Sequence, residues 1–314
     1  TYASWRWIFF INLPMGFLGI GLAIRYFENF RSPTLARFDF AGFALAAIGL
    51  AAIQLALEFA GRGGAVPAGV EPAAIAAAVL FLGAYWFYAR RTPDPVIDIA
   101  LFRIKTFRIG NAAGTLARIG YGSTPFLLPL LLQLSLGFSA FRSGLFTSLT
   151  AVSSMAMRTV TPYILRKQGF RRVLLVNGLV VGVLMMGLAL ITAATPGWAL
   201  AGLLIVLGFF RSLQYTSLSS VGYADLVGRN ISPGSSLASV MQQLSQSFGI
   251  AISATLLGVL AVRSGGLMQR DFAVAFLVMA AFPLASLVWF ARLASEDGAH
   301  MSGYRHAVVP AVQK

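Results

Sequence analysis

Long apolar runs set the main limit on how this chain can fold. A helix of roughly 20 apolar residues crosses the hydrocarbon core of a bilayer. Windows of this kind, separated by Gly, Pro or charged residues, span 7–26, 40–60, 71–88, 108–131, 144–163, 172–193, 198–220, 234–261 and 272–292. The runs are too long for strands and lack the alternation of apolar and polar residues that strands need. The sequence therefore predicts an all-α membrane protein with nine transmembrane helices.

The charges of the chain predict its orientation in the membrane. Only 11% of the residues are charged and 58% are hydrophobic, yet the formal net charge is +14. Of the 24 Lys and Arg residues, sixteen lie in one alternating set of connections and five in the other. Because basic residues collect in cytoplasmic loops, we expect a multi-pass protein of the cell inner (plasma) membrane with its C-terminus in the cytoplasm. Nine spans would then place Thr1 outside the cell, so we expect the natural N-terminus to lie upstream.

Residue counts and motifs argue against enzymes and metal proteins. The chain has no Cys and two His, His300 and His306. A thiolate zinc site, a cysteine nucleophile and a histidine centre therefore lack the groups they need. No P-loop, HExxH or GxSxG motif occurs, which removes support for ATP-driven pumping and intramembrane proteolysis. We expect no enzyme activity, no cofactor, no metal and no nucleic-acid partner, but contact with the lipid bilayer.

The order of the windows suggests a repeat. The polar connection 89–107 separates three windows from six, and the turn at 195–197 divides those six into the triplets 108–193 and 198–292. Because three helices are an odd number, the second triplet runs upside down relative to the first. Inverted repeats of this kind are typical of secondary transporters, which bind substrate near the middle of the membrane.

Two arginines interrupt apolar windows near their centres. Arg118 lies about 10 residues into the fourth window and Arg211 about 13 residues into the seventh, so both fall close to mid-bilayer at about 1.5 Å per residue. A mid-membrane arginine costs about 2.5–3.5 kcal/mol on insertion scales, so it should face a cavity or a partner. Each arginine is on the first helix of its triplet, which predicts a shared cationic patch in a central cavity. A structural ion pair and snorkelling to an interface are the alternatives.

Polar residues at helical spacing accompany these arginines. They are Asn111, Gly114, Gly122 and Pro125 in the fourth window, Gly208, Tyr215 and Ser219 in the seventh, and Ser235, Ser239, Gln242, Gln246, Gly249 and Ser253 in the eighth. For the polar face of the eighth window, packing against another helix through small and amide side chains is the default interpretation, and contact with cargo is the alternative. The pairs Gly110–Gly114 and Gly178–Gly182 have the spacing of close helix packing.

Two further charged residues are secondary candidates. Arg158 lies near the cytoplasmic end of the fifth window, where snorkelling is the simpler interpretation and a role in the cavity the alternative. Glu58 lies near the outer end of the second window, shortly before Arg62. We interpret it as an interfacial carboxylate paired with Arg62; a proton-carrying role is the alternative, although proton carriers usually lie deeper.

Three segments resemble one family of transporters. The opening run SWRWIFFINLPMGFLGIGL (Ser4 to Leu22) is similar to the sixth-helix signature of the major facilitator superfamily, in its fourteen-helix drug/proton antiporter branch of the EmrB/QacA type. PFLLPLLLQLSLGFSAFRSGL (125–145), which contains the further cavity candidate Gln133, resembles the ninth-to-tenth-helix segment of that branch, and SSLASVMQQLSQSFGIAISA (235–254) resembles its thirteenth helix. Within the branch, LARIGYGSTPFLLPLLLQ and RSLQYTSLSS look closest to the MdtD/HsrA-like permeases.

The resemblance implies a division of the chain. By it, 1–27 is the last helix of an N-terminal bundle, 28–88 holds two extra helices, 89–107 is a cytoplasmic linker, 108–292 is a complete C-terminal six-helix bundle and 293–314 is a cytoplasmic tail. The first five family helices, including the carboxylate that couples transport to protons, would lie upstream of residue 1. The loop at 165–172 resembles a basic loop of the family: Gly169, Arg171 and Arg172 fit, but Arg166 stands where that loop has an acid.

The function implied is that of a secondary active transporter. We expect a proton-coupled multidrug or small-molecule efflux permease that exports small amphipathic compounds. Its partners would be lipid, substrate, protons and the upstream helices; a periplasmic adaptor stays open. An uptake or facilitator permease of the same fold is the first alternative, because fold alone does not fix direction or cargo. A membrane fragment or sensor that does not transport is the second.

Overall fold

The computed structural model describes residues 6–26, 39–62, 69–92 and 95–304, and all regular secondary structure in these ranges is helical. In chain order the α-helices are α1 (Trp7–Tyr26), α2 (Phe40–Arg62), α3 (Val70–Ala89), α4 (Lys105–Arg108), α5 (Gly114–Gly122), α6 (Thr124–Leu130), α7 (Ala140–Ala189), α8 (Gly197–Tyr223), α9 (Ile231–Ser264), α10 (Gln269–Phe290) and α11 (Ala299–Ser302). Short 3₁₀ turns occur at Ile99–Arg103 and Gly228–Asn230.

The predicted windows all fall on helical segments, which confirms the all-α expectation. Within the described ranges, six helices are long and apolar enough to cross a membrane by length and composition. These six are α2, α3, α7, α8, α9 and α10. Helix α7 has 50 residues and contains both the fifth and the sixth predicted window. The fourth window is broken into shorter helices, and the first coincides with the 20 residues of α1.

A sharp change of direction divides α7 at Gly169. Its φ of 70° and ψ of 166° are not helical, so the residues on either side form two helices, 140–168 and 170–189. Positive φ is open to glycine because it has no Cβ. A Cβ at this position would also lie 3.3 Å from the ring of Tyr304. The chain can therefore reverse here within one residue, which joins the two windows without a longer loop.

The segment 105–135 is one continuous helical rod, here called the composite helix. It consists of α4, α5, α6 and two π-helical turns, Ile109–Ala113 and Leu131–Ser135. The second π turn includes a bond from the amide of Leu136 to the carbonyl of Leu131 at 3.1 Å. It follows Pro129, which has no amide hydrogen to continue the α-helical ladder. Each π turn rotates the side chains beyond it, and such turns often occur at functional sites.

The largest apolar core lies where the composite helix, α7, α8 and α10 meet. Glycines allow the helices to approach closely there. A Cβ on Gly178 would lie 2.8 Å from Leu287 Cδ2, and one on Gly110 would lie 2.7 Å from the Cα of Gly222. Gly182 likewise faces Leu284. Close helix packing thus occurs at Gly110, Gly178 and Gly182, whereas the close contact at Gly114 is with Arg118 of the same helix.

The helices before the composite helix fall into two groups. Helix α1 belongs to a compact unit of its own, residues 1–38, and contains Pro14. Ser4 and Trp5 of the opening motif lie outside the described residues. Helices α2 and α3 pack against each other, and α2 also packs against α9. The hydroxyl of Thr255 on α9 donates to the carbonyl of Ala60 on α2 at 3.2 Å.

The polar segment 291–304, which follows α10, contacts residues at the ends of α4 and α8. Lys105 Nζ lies 2.8 Å from Asp297 Oδ2, which connects this segment to α4. The Thr106 hydroxyl donates to Asp225 Oδ2 at 2.7 Å, just beyond α8. His300 Nε2 lies 3.9 Å from the other oxygen of Asp225. Residues 291–304 therefore cover one end of the helix bundle; the rest of the predicted tail, 305–314, lies outside the described residues.

Much of the outer surface is apolar. Exposed bulky side chains on α7 include Val152, Met155, Val176, Leu179 and Val183. A soluble monomer rarely presents such extended apolar surface to water. In a membrane the same side chains contact lipid, while the helices satisfy their own backbone hydrogen bonds. The fold is thus that of a multi-pass protein with its apolar exterior against lipid.

Candidate functional site

A cavity of about 770 Å³ opens between four helical elements of the bundle. Its walls come from the composite helix, α7, α8 and α9. The residues that line it are Tyr121, Gly122, Pro125, Ala151, Ser154, Met155, Arg158, Arg211, Ser212, Tyr215, Thr216, Ser219, Gln242 and Gln246. Among the residues that the structure describes, the lining thus combines aromatic rings, hydroxyls, amides and two arginines, without any Asp or Glu.

The cavity has a cationic wall formed by α7 and α8. Arg211 is half-buried near the middle of α8, and Arg158 is exposed on the first half of α7. The two helices are joined beside them, because the Ser154 hydroxyl donates to the carbonyl of Gly208 at 3.0 Å and the Ser212 hydroxyl donates to the carbonyl of Ser154 at 2.9 Å. Arg158 and Arg211 therefore lie in one wall of the cavity, and these two hydrogen bonds hold α7 and α8 together beside them.

Arg118 lies behind the cavity wall rather than in it. Its side chain is only 1% exposed. The guanidinium carbon lies 5.8 Å from the centre of the Tyr215 ring, and the rings of Tyr215 and Tyr121 are 5.6 Å apart. Both tyrosines line the cavity, and both lie within electrostatic range of Arg118 and Arg211. The two tyrosines thus lie close both to the deeply buried Arg118 and to Arg211, which faces the cavity.

Several buried polar atoms in this cluster have no hydrogen-bond partner within the part of the chain that the structure describes. They include Nε and Nη1 of Arg118 and the hydroxyl of Tyr121. Leaving a buried polar group unpaired costs about 1–3 kcal/mol, and more when it is charged. Most buried polar groups in proteins are paired, so each exception calls for an explanation. Here the unpaired groups converge beside a cavity, which is where a functional group is expected.

Glycines make room for the buried cluster. A Cβ on Gly114 would lie 3.0 Å from Arg118 Nη1, so the missing side chain leaves space for the guanidinium one turn later. Gly122 lets α9 approach the composite helix, because its Cβ would lie 3.0 Å from the Cα of Gln246. Gly249 on α9 likewise faces the backbone of Ile119. These contacts bring the glutamines of α9 to the cavity.

The polar face of α9 serves two purposes. Gln242 and Gln246 line the cavity, and Gln246 Nε2 donates to the Tyr215 hydroxyl at 2.8 Å. Gly249, further along the same face, packs against the backbone of Ile119 in the composite helix, and Ser253 is buried. The two alternatives left open for this stripe therefore apply to different parts of it. Packing describes Gly249, while the two glutamines in the middle of the stripe line the cavity.

Three other candidates lie away from the cavity lining. Asn111 is buried and donates from Nδ2 to the carbonyl of Phe107 at 3.1 Å within its own helix. Gln133 is exposed in the second π turn, with its Nε2 3.4 Å from the hydroxyl of Ser143. Glu58 is exposed on α2, and the side chain of Arg62, its expected partner, lies outside the described residues.

The basic loop residues surround a second, smaller cavity of about 320 Å³. Gly169 forms the reversal in α7, and Arg171 and Arg172 are exposed immediately after it. The lining residues are Gln168, Arg171, Arg172, Leu175, Val176, Ser295 and Tyr304. The loop therefore carries two solvent-facing cations beside the segment that follows α10.

The sequence did not lead us to predict Tyr121, which lines the cavity close to both arginines. A signal was present, because Tyr121 is three residues after Arg118 and so shares its helix face. Ser154, Ser212 and Thr216 were not singled out as cavity residues either. Their windows contain many small polar residues, and only the packing of the helices shows which ones face the opening. No group of three or more His, Asp or Glu close enough to hold a metal occurs in the described ranges.

Comparison with known proteins agrees with this architecture. The profile of the Major Facilitator Superfamily matches residues 1–250. A putative multidrug resistance protein MdtD of Pectobacterium carotovorum subsp. carotovorum (strain PC1) is 36% identical over 262 residues, which are 82% of this chain and 55% of that protein. Proteins of the same name are 32% identical over 299 residues in Serratia proteamaculans (strain 568) and 34% identical over 305 residues in Escherichia coli (strain 55989 / EAEC). Each of these two alignments covers 94% of this chain.

The chain spans only 55% to 63% of the length of these three relatives. The family profile nevertheless matches most of its residues, and the observed fold has long apolar helices with a polar cavity between four helical elements. The chain therefore belongs to the major facilitator superfamily, a family of membrane transporters rather than enzymes.

Proposed function

We propose that the protein containing this chain is a secondary active transporter that exports small amphipathic compounds from the cytoplasm in exchange for protons. The observation that carries the proposal is the 770 Å³ cavity with Arg211 in its wall and Arg118 buried behind it. Its volume is within the range of about 300–1,000 Å³ that is usual for sites of drug-sized ligands. The names of the relatives, putative multidrug resistance proteins, support export of such compounds.

The cavity suits a ligand with one apolar and one polar side. The rings of Tyr121 and Tyr215 offer flat apolar surface, and Met155 adds a flexible apolar side chain that adapts to different shapes. Gln242 and the hydroxyls supply hydrogen bonds without demanding one geometry. Such a surface accepts many amphipathic compounds with modest affinity, which is what a multidrug exporter needs.

We infer that Arg118 and Arg211 control a carboxylate that carries the transported proton. The relatives are longer than these 314 residues, and we place this carboxylate in the part of their length that this chain does not span. A nearby cation favours the charged form of a carboxylate. When the carboxylate approaches the arginines it therefore releases its proton, and when it moves away it binds one. Direct binding of an anionic substrate by Arg211 is the competing role for the same residue.

The test is transport by the natural full-length protein in proteoliposomes with an imposed pH gradient. Export of a cationic dye (ethidium) and of an anionic dye (carboxyfluorescein) is measured together with proton flux. Arg118→Gln should abolish proton-coupled export of any dye that the wild type transports, and membrane insertion should stay normal. Arg263→Gln, an exposed arginine of α9 outside the cavity lining, is the matched control.

The outcomes separate the proposals. Normal dye export and normal proton flux in Arg118→Gln would disprove the coupling role. If Arg211→Gln loses only the anionic dye and keeps proton coupling for other cargo, Arg211 binds substrate instead. If the substrate instead moves inward together with protons, the protein is an uptake permease. Absence of any transport by the wild-type protein, across dyes of both charges, would count against a transporter of this substrate class.

A further inference from the structure

We propose that the second cavity, beside Arg171 and Arg172, binds the headgroup of an anionic phospholipid whose acyl chains lie along the second half of α7. The cavity has a volume of about 320 Å³ and lies at the reversal of α7 around Gly169. Its lining residues are all different from those of the 770 Å³ cavity, so the proposal is independent of the proposed transport function.

The two arginines provide the charge that attracts such a headgroup. Both side chains are exposed, and within the part of the chain that the structure describes neither is in an ion pair. Of the two acids that follow Ser295, Asp297 is already engaged by Lys105 at 2.8 Å, and Glu296 is exposed and does not line the cavity. Arginine suits phosphate because its planar guanidinium donates two parallel hydrogen bonds. The cavity therefore offers two available cations to one anionic group.

A strip of apolar side chains leads away from these cations. Val176, Leu179 and Val183 follow Arg172 at spacings of four, three and four residues, so all four lie on one face of the helix. The three apolar residues are 53%, 51% and 51% exposed. Such residues on a membrane-spanning helix face lipid tails. The strip thus continues from the phosphate position along the path that the acyl chains of the same lipid would take.

The second cavity is also lined by polar side chains that can hydrogen-bond to a glycerol or phosphate group. Gln168 comes from the first half of α7, while Ser295 and Tyr304 come from the segment after α10. Three separate stretches of chain therefore converge on one position at the edge of the apolar surface. Basic pockets between helices at the membrane interface are a known way of binding anionic headgroups. A soluble phosphate ion would use the arginines but would not account for the adjoining apolar strip.

Native mass spectrometry of the full-length protein with added lipid tests the site. Wild-type protein should bind phosphatidylglycerol in preference to phosphatidylcholine. Each basic residue near an anionic lipid surface contributes about a five-fold gain in affinity. The double variant R171Q/R172Q should therefore bind phosphatidylglycerol roughly thirty-fold more weakly. Lys167→Gln is the matched control, because Lys167 is exposed in the same loop but does not line the cavity.

A second variant and a soluble competitor complete the design. R171K/R172K keeps both charges and should keep most of the preference for phosphatidylglycerol. Glycerol phosphate should compete only weakly, because it lacks the acyl chains. The proposal is overturned if R171Q/R172Q keeps the lipid preference, if Lys167→Gln loses as much affinity, or if R171K/R172K binds as weakly as the glutamine pair. Competition by glycerol phosphate at the affinity of the lipid would also overturn it and identify a site for soluble phosphate.

Discussion

Replacing Gly110 by alanine would test whether the contact between the composite helix and α8 sets the geometry of the site. A Cβ at residue 110 would lie 2.7 Å from the Cα and 2.8 Å from the amide nitrogen of Gly222, and 3.2 Å from the carbonyl oxygen of Leu218. All three atoms belong to the backbone of α8. None of them can turn aside as a flexible side chain would, so the two helices must separate.

The size of the effect follows from these distances. An ordinary contact begins at 3.4 Å and the Cβ would lie at 2.7 Å, so the helices must part by about 0.7 Å. Overpacking of this kind costs about 1–3 kcal/mol. Alanine regains about 0.5–1 kcal/mol because glycine loses more backbone entropy in a helix. The net destabilisation is therefore about 0–2.5 kcal/mol, or at most roughly 10 °C in thermal midpoint for a large domain.

Thermal unfolding of the purified full-length protein in detergent measures this change, and α8 supplies two matched controls. Gly202 has no atom within 4 Å of an added Cβ, so Gly202→Ala should be neutral or slightly stabilising. A Cβ on Gly222 would meet the side-chain amide of Asn111 at 3.1 Å, which can move. Gly222→Ala should therefore cost less than Gly110→Ala, although it lies on the other side of the same contact.

The same variant should weaken the site, because Tyr215 is on α8 and Arg118 is on the composite helix. Their separation of 5.8 Å is already close to the limit of about 6 Å for a cation–π contact. A shift of about 0.7 Å would move them beyond that limit. Gly110→Ala should thus reduce transport more than its loss of stability explains. If it is as stable and as active as Gly202→Ala, the contact does not hold the helices at this distance and the reasoning fails.

Two further predictions concern the ends of the helices. Gly169→Ala forces a residue with a Cβ to adopt φ 70° and ψ 166°, a region essentially restricted to glycine, and should destabilise the protein by about 1–3 kcal/mol. Gly144→Ala in the same helix meets no atom within 4 Å and should not lower the thermal midpoint. Equal midpoints for the two variants would show that position 169 tolerates other residues. Asp225→Ala leaves the buried hydroxyl of Thr106 without its acceptor at 2.7 Å and should cost about 1–3 kcal/mol. Asp98→Ala removes an exposed carboxylate that caps a short turn and should cost about 1 kcal/mol or less; a greater loss of stability in this variant than in Asp225→Ala would refute the role given to that bond.

The helices could be predicted from the sequence because their cause is local. Every run of roughly 20 apolar residues must satisfy its own backbone hydrogen bonds in lipid, and a helix does this within the run itself. All nine windows accordingly fall on helical segments. The π turns were not predicted, because the hydropathy of a window does not change when one turn widens. Pro129 is a local marker of the second π turn that a hydropathy window does not register, and the first π turn at 109–113 has no such marker.

The direction in which the polar side chains point was harder to predict. Arg118 and Arg211 both lie at mid-helix, and sequence alone assigned them the same role. In the fold Arg211 faces the cavity while Arg118 is buried behind two tyrosines. Gln133, in the second π turn, lies away from the cavity, whereas Arg158, a weaker candidate, is in its wall. The rotation of each helix about its own axis makes these differences, and partner helices set that rotation.

The sequence by itself determined the class of protein, the positions of the helices and the family, since each follows from local composition or from short motifs. Its tertiary structure decided which side chains share a space. Arg118 and Tyr121 share a face of the composite helix, where Gly114 leaves room for the guanidinium, and Tyr215 joins them because Gly110 lets α8 approach that helix. The approach of α8 depends on contacts between residues about a hundred positions apart, and no local pattern in the sequence encodes it.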